Sequence, residues 1–176
     1  NSIGLIYAGA QKNMGPAGVT MVIIRDDILG KVDRHIPTML DYRTHIDKGS
    51  AFNTPPVSAI FVVNRTLSWL DDLGGVQAIE EKNRMKADKL YDEIERNLLF
   101  KSPIAEEDRS LMNVPFVFVE NGDENEFLYF CADRGLMTLK GHRSVGGFRA
   151  SIYNAMPEAG VDALIAAMRE YESQRS

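Results

Sequence analysis

The chain has 176 residues, of which 44% are hydrophobic and 26% are charged, and its formal net charge is -5. This length suits one domain or two small ones, and the composition is that of an ordinary globular protein. The acidic balance argues against nucleic acid as a partner, and no apolar run approaches the ~20 residues that cross a membrane. The single cysteine, Cys131, excludes an internal disulfide and a cysteine-rich metal site. It fits a reducing, cytoplasmic location.

Two short apolar segments near the start predict strands. GLIYAGA (4–10) and GVTMVIIRDD (18–27) are rich in apolar residues and are separated by the Gly/Pro turn NMGPAG. Near-continuous apolar strands are typical of an α/β sheet that is covered on both faces. Such a sheet needs more strands than this part of the chain supplies. We therefore expect the sequence to be a piece of a longer polypeptide whose N-terminal part is not included.

The middle of the chain predicts two helices. TPPVSAIFVVNRTLSWLDDLGG (54–75) begins with Thr54 as a candidate N-cap, has two prolines in its first turn and stops at two glycines. VQAIEEKNRMKADKLYDEIERNLL (76–99) sets apolar residues among charges at helical spacing. This pattern favours a solvated amphipathic helix.

The pattern after residue 112 predicts a small second domain over residues 113–176, with a domain boundary near residues 99–112. Its order βαββα predicts an α/β sandwich, with helices on one face of a largely antiparallel sheet. The five predicted elements are VPFVFVE (114–120), DENEFLYFCADRG (123–135), LMTLKGH (136–142), FRASIYNA (148–155) and MPEAGVDALIAAMREYESQ (156–174).

A lysine lies in the turn between the first two strands. Lys12 is surrounded by small residues and follows Gln11 directly. We expect a lysine so placed to lose solvation, which favours its neutral, nucleophilic form. A nucleophilic amine is what Schiff-base chemistry with an aldehyde requires. From the residues alone, an ordinary loop lysine that points into water is the more common arrangement.

The segment FNTPP (52–56) predicts the start of a helix that could also bind an anion. Asn53 and Thr54 before two prolines are suited to capping a helix. The N-terminus of a helix also offers N–H groups and a favourable dipole to an anion. We expect both roles to hold together, because the cap geometry is what presents the donors.

The segment KGHRSVGGFR (140–149) is the densest cationic stretch of an acidic chain. Lys140, His142, Arg143 and Arg149 lie within ten residues, and the glycine pair at 146–147 permits a tight turn. These residues suit a substrate with two anionic groups, because the planar fork of arginine matches a carboxylate. The alternative is a solvated hairpin with its charges in water.

Four motifs in this order closely resemble the phosphoserine aminotransferases, a family of pyridoxal-phosphate enzymes of fold type I: AGAQKNMGPAG, FNTPP, RSLMNVPF and KGHRSVGGFRASIYNAM. The resemblance runs along the whole chain but matches only the C-terminal half of that family's polypeptide. It implies that residues 1–99 end the large α/β domain that binds the cofactor. Residues 113–176 would be the small C-terminal α/β sandwich domain.

The resemblance also implies how pyridoxal 5'-phosphate is held. Lys12 would bind the cofactor covalently and act as general acid and base, and Gln11 would lie near the cofactor phosphate. Asn53 and Thr54 would reach the cofactor phosphate in the neighbouring subunit. The active site would therefore lie at the interface of a homodimer.

The substrate residues and the reaction are implied in the same way. Arg149 would hold the α-carboxylate, and His142 and Arg143 the phosphate or side-chain carboxylate. The reaction would convert L-glutamate and 3-phosphohydroxypyruvate into 2-oxoglutarate and O-phospho-L-serine, in serine biosynthesis and, in some relatives, in vitamin B6 biosynthesis.

Two alternatives remain open at this point. One is another aminotransferase of small acids, of the alanine–glyoxylate or serine–pyruvate type. The other is a non-catalytic folding or dimerisation module. The aromatic ring that stacks on the cofactor and the aspartate that pairs with its ring nitrogen belong to the family's other half. We therefore expect residues 1–176 by themselves to be inactive.

Overall fold

The long helix in the middle of the chain packs with the C-terminal elements, and the chain divides ahead of it. The computed structural model describes residues 2–120, 122–143 and 146–175. One unit ends at Asp72, and the other begins at Leu73. This division precedes the boundary that the sequence predicts near residues 99–112, because the helix contacts the strands at Phe100–Lys101 and Asn113–Phe118 and the last helix.

The N-terminal unit starts with a hairpin. Strands β1 (Leu5–Gly9) and β2 (Thr20–Ile24) pair antiparallel, from Leu5 opposite Ile24 to Gly9 opposite Thr20. Both predicted strands are therefore confirmed. Neither face of this small sheet is covered by the described residues, since the adjacent Ile6 and Tyr7, which point to opposite faces, are 46% and 73% exposed.

Two helices complete this unit, after two single turns of 3-10 helix at Asp26–Ile28 and Thr38–Leu40. They are α1 (Tyr42–Ile46) and α2 (Val57–Asp72). The first intrahelical bond of α2 runs from Ile60 N–H to the carbonyl of Pro56 at 3.0 Å. Pro56 is therefore the N-cap, and the prediction that Thr54 caps this helix is wrong, because the helix starts two residues later.

Within residues 73–120, 122–143 and 146–175, the C-terminal unit contains three helices and a three-stranded antiparallel sheet in the order β3-β4-β5. The elements in chain order are α3 (Gly75–Arg96), β3 (Phe100–Lys101), β4 (Asn113–Phe118), α4 (Glu124–Ala132), β5 (Phe148–Ser151) and α5 (Glu158–Ser173). A 3-10 turn at Glu106–Asp108 lies between β3 and β4.

One predicted strand of this unit is wrong. Residues 136–142 form no strand, and only Lys140 makes an isolated bridge, to Phe148. The order over residues 113–176 is βαβα rather than βαββα, and the third strand of the sheet is the short β3, which lies before residue 113. Thr138 has a φ of 61°, a left-handed conformation that an extended strand does not accommodate.

The core of the C-terminal unit is built from aromatic rings. Strands β4 and β5 alternate buried and half-buried residues, so that Phe116 and Phe148 face the same interior. Phe127 of α4 packs against them, with ring centroids 4.9 Å from Phe148 and 4.8 Å from Tyr171 of α5. Full burial of one such side chain contributes about 1.5–3 kcal/mol.

Helix α3 is not the solvated helix that its charge pattern predicts, because part of its polar face is buried. Lys86 is 3% exposed, and its Nζ donates to the carbonyls of Ile152, Tyr153 and Met156 at 3.2, 2.9 and 3.1 Å. Burial lowers the pKa of Lys86. The lysine thereby holds the turn that follows β5, where three carbonyls converge.

A second buried polar group of α3 joins it to α5. Glu93 is 1% exposed and accepts from Arg96 at 2.7 Å, from Arg169 at 2.7 Å and from Asn97 at 3.1 Å. Burial disfavours the charged carboxylate, but the hydrogen bonds from these donors outweigh it and hold the pKa of Glu93 below its ordinary value.

Because its pKa is depressed in the folded state, Glu93 stabilises the fold above the carboxyl's unfolded pKa of about 4.3. This contribution is lost as the pH falls through the folded pKa. We expect Glu93→Gln to lower the free energy of unfolding by about 1–3 kcal/mol at pH 7. Urea unfolding measured from pH 7 to pH 3 should show that the difference in unfolding free energy between wild type and Glu93→Gln becomes smaller as the pH falls. Glu81→Gln, at an exposed position of the same helix, should change little, and equal stability of Glu93→Gln and wild type at pH 7 contradicts the expectation.

Cys131 belongs to the core, as the sequence predicts, and its burial raises the pKa of the thiol to about 11. At pH 8 only roughly one thiol in a thousand is then ionised, so we expect almost no reaction with a disulfide reagent in the folded protein. The same sample in urea should release one equivalent of product. Rapid stoichiometric reaction without denaturant contradicts this assignment.

Candidate active site

The loop that carries Lys12 is fixed directly after β1. Ala10, which is buried, donates its N–H to the carbonyl of Val19 at 2.9 Å, and Lys12 N–H donates to the carbonyl of Ala10 at 2.6 Å. Gln11 forms an isolated bridge with Gly15. The main chain at Lys12 is therefore held by the end of the hairpin.

Glycine in this loop allows it to lie against α2. A Cβ at Gly15 would lie 3.0 Å from Val63 Cγ2 and 3.3 Å from its Cα, and the φ of Gly15 is 148°. The backbones of loop and helix thus approach more closely than a side chain would permit. Gly18 lies over Ala59, in the first turn of the same helix.

The side chain of Lys12 is exposed, so the predicted loss of solvation is wrong for the described part of this chain. Gly15 and Gly18 of the loop lie against α2 instead. Gln11 is exposed as well. Both polar side chains therefore lie at the surface of a loop whose backbone is fixed.

Asn53 and Thr54 lie in the segment that leads into α2. Both are exposed, and Asn53 Nδ2 donates to the carbonyl of Thr54 at 3.3 Å. The Lys12 loop packs on the same helix through Gly15 and Gly18. Helix α2 therefore adjoins both polar segments of the N-terminal unit, the Lys12 loop and the segment with Asn53 and Thr54.

The cationic segment forms a hairpin that closes at two glycines, which we call the hairpin neck (Gly141 and Gly147). Gly141 N–H donates to the carbonyl of Gly147 at 2.8 Å, and Arg149 N–H donates to that of Leu139 at 2.7 Å. His142 and Arg143 follow the neck directly and are exposed. Ser144 and Val145 of the motif lie outside the described residues.

The neck requires glycine for steric reasons. Gly147 has a φ of 60°, and a Cβ there would lie 2.6 Å from Val117 Cγ1 and 2.7 Å from the carbonyl oxygen of Phe116. A Cβ at Gly141 would overlap the carbonyl of Gly146. The tight turn predicted at residues 146–147 is confirmed by their positive φ angles, whereas the role of Gly141 was not predicted.

Arg149 lies in β5 opposite Pro115, on the face of the sheet that points away from the aromatic core. It is half-buried, and its Nε is buried without a hydrogen-bond partner among the described residues. A buried donor without an acceptor is costly, so this atom fits an acceptor supplied by a ligand. A carboxylate matches the guanidinium best, because it accepts two parallel hydrogen bonds.

The predicted site residues thus fall into two sets. The four assigned to the cofactor belong to the N-terminal unit, and the three assigned to the substrate belong to the C-terminal unit. Among residues 2–120, 122–143 and 146–175, no cluster of His, Cys, Asp or Glu is arranged to hold a metal ion. Within the same ranges, no helix is both long enough and apolar enough to cross a membrane.

Sequence reasoning missed one residue at this site. Glu124, the first residue of α4, accepts the N–H of Gly147 at 3.1 Å through its Oε1. The two residues are 23 positions apart, and no periodic pattern connects them. An acidic residue in the first turn of a helix is common for helix stability alone, so the sequence offered no signal for this contact.

The chain is similar to known aminotransferases over most of its length. The sequence profile of the family described as "Aminotransferase class-V" matches residues 2–164. A curated phosphoserine aminotransferase of Parabacteroides distasonis is 56% identical over 97% of this chain and 48% of its own length. The chain therefore spans about half the length of the curated relatives it matches.

Solved structures give the same result. A phosphoserine aminotransferase from Bacillus circulans subsp. alkalophilus has a TM-score of 0.93 and 42% identity, over 98% of this chain and 48% of that one. A PLP-bound phosphoserine aminotransferase from Trichomonas vaginalis has a TM-score of 0.89 and 45% identity, over 95% and 48%. The predicted fold class, α/β elements of a fold type I aminotransferase, is confirmed. The chain belongs to the class-V aminotransferase family.

Proposed function

We propose that the protein containing this chain transfers an amino group from L-glutamate to 3-phosphohydroxypyruvate, with pyridoxal 5'-phosphate as cofactor. The products are 2-oxoglutarate and O-phospho-L-serine. The observation that carries the substrate class is the cationic hairpin, where Arg149 has a buried Nε without a partner among the described residues and a histidine and an arginine follow the neck. Support for the reaction comes from the relatives, which are named phosphoserine aminotransferases.

The residues of the N-terminal unit fit the cofactor chemically. Lys12 offers a primary amine for covalent attachment to an aldehyde, on a loop whose main chain is fixed by hydrogen bonds and by its contact with α2. Gln11, Asn53 and Thr54 offer polar groups for a phosphate. When bound, the cofactor supplies an electron sink that stabilises negative charge at the substrate Cα.

Lys12 has a second task once substrate is in place. Its Nζ would then remove the proton from the substrate Cα and return it, as general base and acid. A fixed main chain serves this role, because a proton transfer needs the two heavy atoms within about 2.6–3.2 Å.

The C-terminal unit would bind the substrate at two points. Arg149 binds the α-carboxylate that both substrates share, which supplies the acceptor that its Nε lacks. His142 and Arg143 bind the phosphate of one substrate and the side-chain carboxylate of the other. Their exposure at the tip of a hairpin with a fixed neck leaves them accessible to such a group.

We extend the proposal to the assembly. Asn53 and Thr54 are exposed ahead of α2, which suits a role in the cofactor site of a partner subunit within a homodimer. Residues 1–99 would belong to the large cofactor-binding domain and residues 113–176 to the small domain. The reaction places the protein in serine biosynthesis, and we propose a cytoplasmic location.

The first test identifies the cofactor lysine. Borohydride reduction of the complete holoenzyme, followed by peptide mapping, should place a pyridoxyl label on Lys12. Lys12→Ala should reduce transamination by at least about 10²–10⁴-fold, since acid–base work alone accounts for that much. Lys31→Ala, at an exposed lysine of the same unit, is the matched control and should retain activity. A label on Lys31, Lys48 or Lys140 refutes the assignment.

The second test separates the two anion contacts. Arg149→Ala should lower kcat/KM for glutamate and phosphoserine alike, whereas Arg143→Ala should affect phosphoserine more. A charged hydrogen bond contributes about 1.5–3 kcal/mol, which corresponds to about 10- to 150-fold. Lys140→Ala removes a neighbouring cation and serves as the control. An unchanged kcat/KM for phosphoserine in Arg143→Ala contradicts the phosphate role and favours a relative that acts on non-phosphorylated acids.

A further inference from the structure

The substrate hairpin is attached to the rest of the C-terminal unit by a side chain from outside it. Gly147 is buried at the neck, and its N–H donates to Glu124 Oε1 at 3.1 Å. Glu124 is the first residue of α4, a separate element that precedes the motif at residues 140–149 in the sequence. The proposed substrate function makes no use of this carboxylate.

Gly147 connects the part of the hairpin that carries His142 and Arg143 with the strand that carries Arg149. Its carbonyl accepts from Gly141 N–H at 2.8 Å, directly before His142, while Arg149 follows two residues later in β5. A Cβ at Gly147 would overlap Val117 Cγ1 and the carbonyl oxygen of Phe116, so the neck lies close against β4 and leaves no space for a side chain there. A shift of Gly147 would therefore displace cations on both sides of the neck.

Glu124 is itself held in place by the helix that carries it. Asp123 caps α4, because its Oδ1 accepts from the N–H groups of Asn125 and Glu126 at 2.9 and 3.2 Å. Helix α4 is further fixed by Phe127, which is fully buried among the aromatic rings. The carboxylate that reaches Gly147 thus comes from a rigid element.

We propose that Glu124 is a positioning residue for the substrate hairpin. Its hydrogen bond to Gly147 N–H fixes the neck, so that His142 and Arg143 on one side and Arg149 on the other meet the substrate in one arrangement. The inference rests on the proposed function of these cations. The essential property is the acceptor oxygen rather than the negative charge, because the bonded group is a backbone N–H.

The test compares three variants of the complete holoenzyme. Glu124→Ala removes the acceptor, and Glu124→Gln keeps an oxygen acceptor without the charge. Glu126→Gln removes a charge from the same helical turn, where the carboxylate contacts Arg175 instead of the hairpin. It is therefore the control for charge lost at the helix N-terminus.

Two readouts are needed, one for the hairpin and one for the substrate. In Glu124→Ala we expect faster hydrogen exchange in the peptide 139–149 without substrate. We also expect the KM for phosphoserine to rise about 5- to 30-fold, the range that corresponds to one hydrogen bond, with kcat nearly unchanged. Glu124→Gln and Glu126→Gln should both stay close to wild type.

The outcomes separate this inference from the proposed function. Unchanged exchange in Glu124→Ala overturns the positioning role. An equal rise of the KM for phosphoserine in Glu124→Ala and Glu124→Gln also overturns it, since the loss of the negative charge would then explain the effect. Faster exchange with an unchanged KM overturns it as well. In each case Arg143→Ala decides independently whether the hairpin binds the substrate phosphate.

Discussion

The burial of Phe148 determines how the substrate hairpin is presented. Its ring lies among Phe100, Phe116 and Phe127 in the core of the C-terminal unit. Because side chains alternate along a strand, the next residue, Arg149, points to the opposite face. Shifting β5 by one residue would move the arginine into the aromatic core and a phenylalanine to the surface, so the register is strongly specified.

Two buried polar groups of α3 also fix the elements around β5. Lys86 gathers three carbonyls of the turn after β5, and Glu93 joins α3 to α5 through arginine and asparagine donors. Such buried polar groups are costly unless they are hydrogen-bonded, so they tolerate few alternative arrangements. The strand that carries Arg149 is thereby fixed by apolar packing at its start and by hydrogen bonds just beyond its end.

The N-terminal unit relies on a different constraint. Its two strands have no covered face among the described residues. The constraint in this unit is the contact of the Lys12 loop with α2. Gly15 permits an approach at which backbone meets backbone, and the hydrogen bond of Ala10 to Val19 closes the loop. The lysine side chain is exposed on a loop whose main chain is held by hydrogen bonds.

The amino-acid sequence by itself determined the local features and the identity of the chemical groups. Alternating or continuous apolar residues identified β1, β2, β4 and β5, and the helical spacing identified α2 to α5, because these periodicities reflect burial directly. The motifs around Lys12 and Arg149 indicated the family, which the comparisons confirmed. The core position of Cys131 also followed from its apolar neighbours on a helix.

Only the tertiary structure decided the features that depend on distant residues. Residues 136–142 have the composition of a strand, yet the chain passes through a left-handed Thr138. Helix α3 has a charged sequence, yet Lys86 and Glu93 are buried because acceptors from the turn after β5 and a donor from α5 meet them. The bond between Glu124 and Gly147 spans 23 residues. A contact of this kind leaves no trace in local periodicity, since the folded chain alone brings its two ends together.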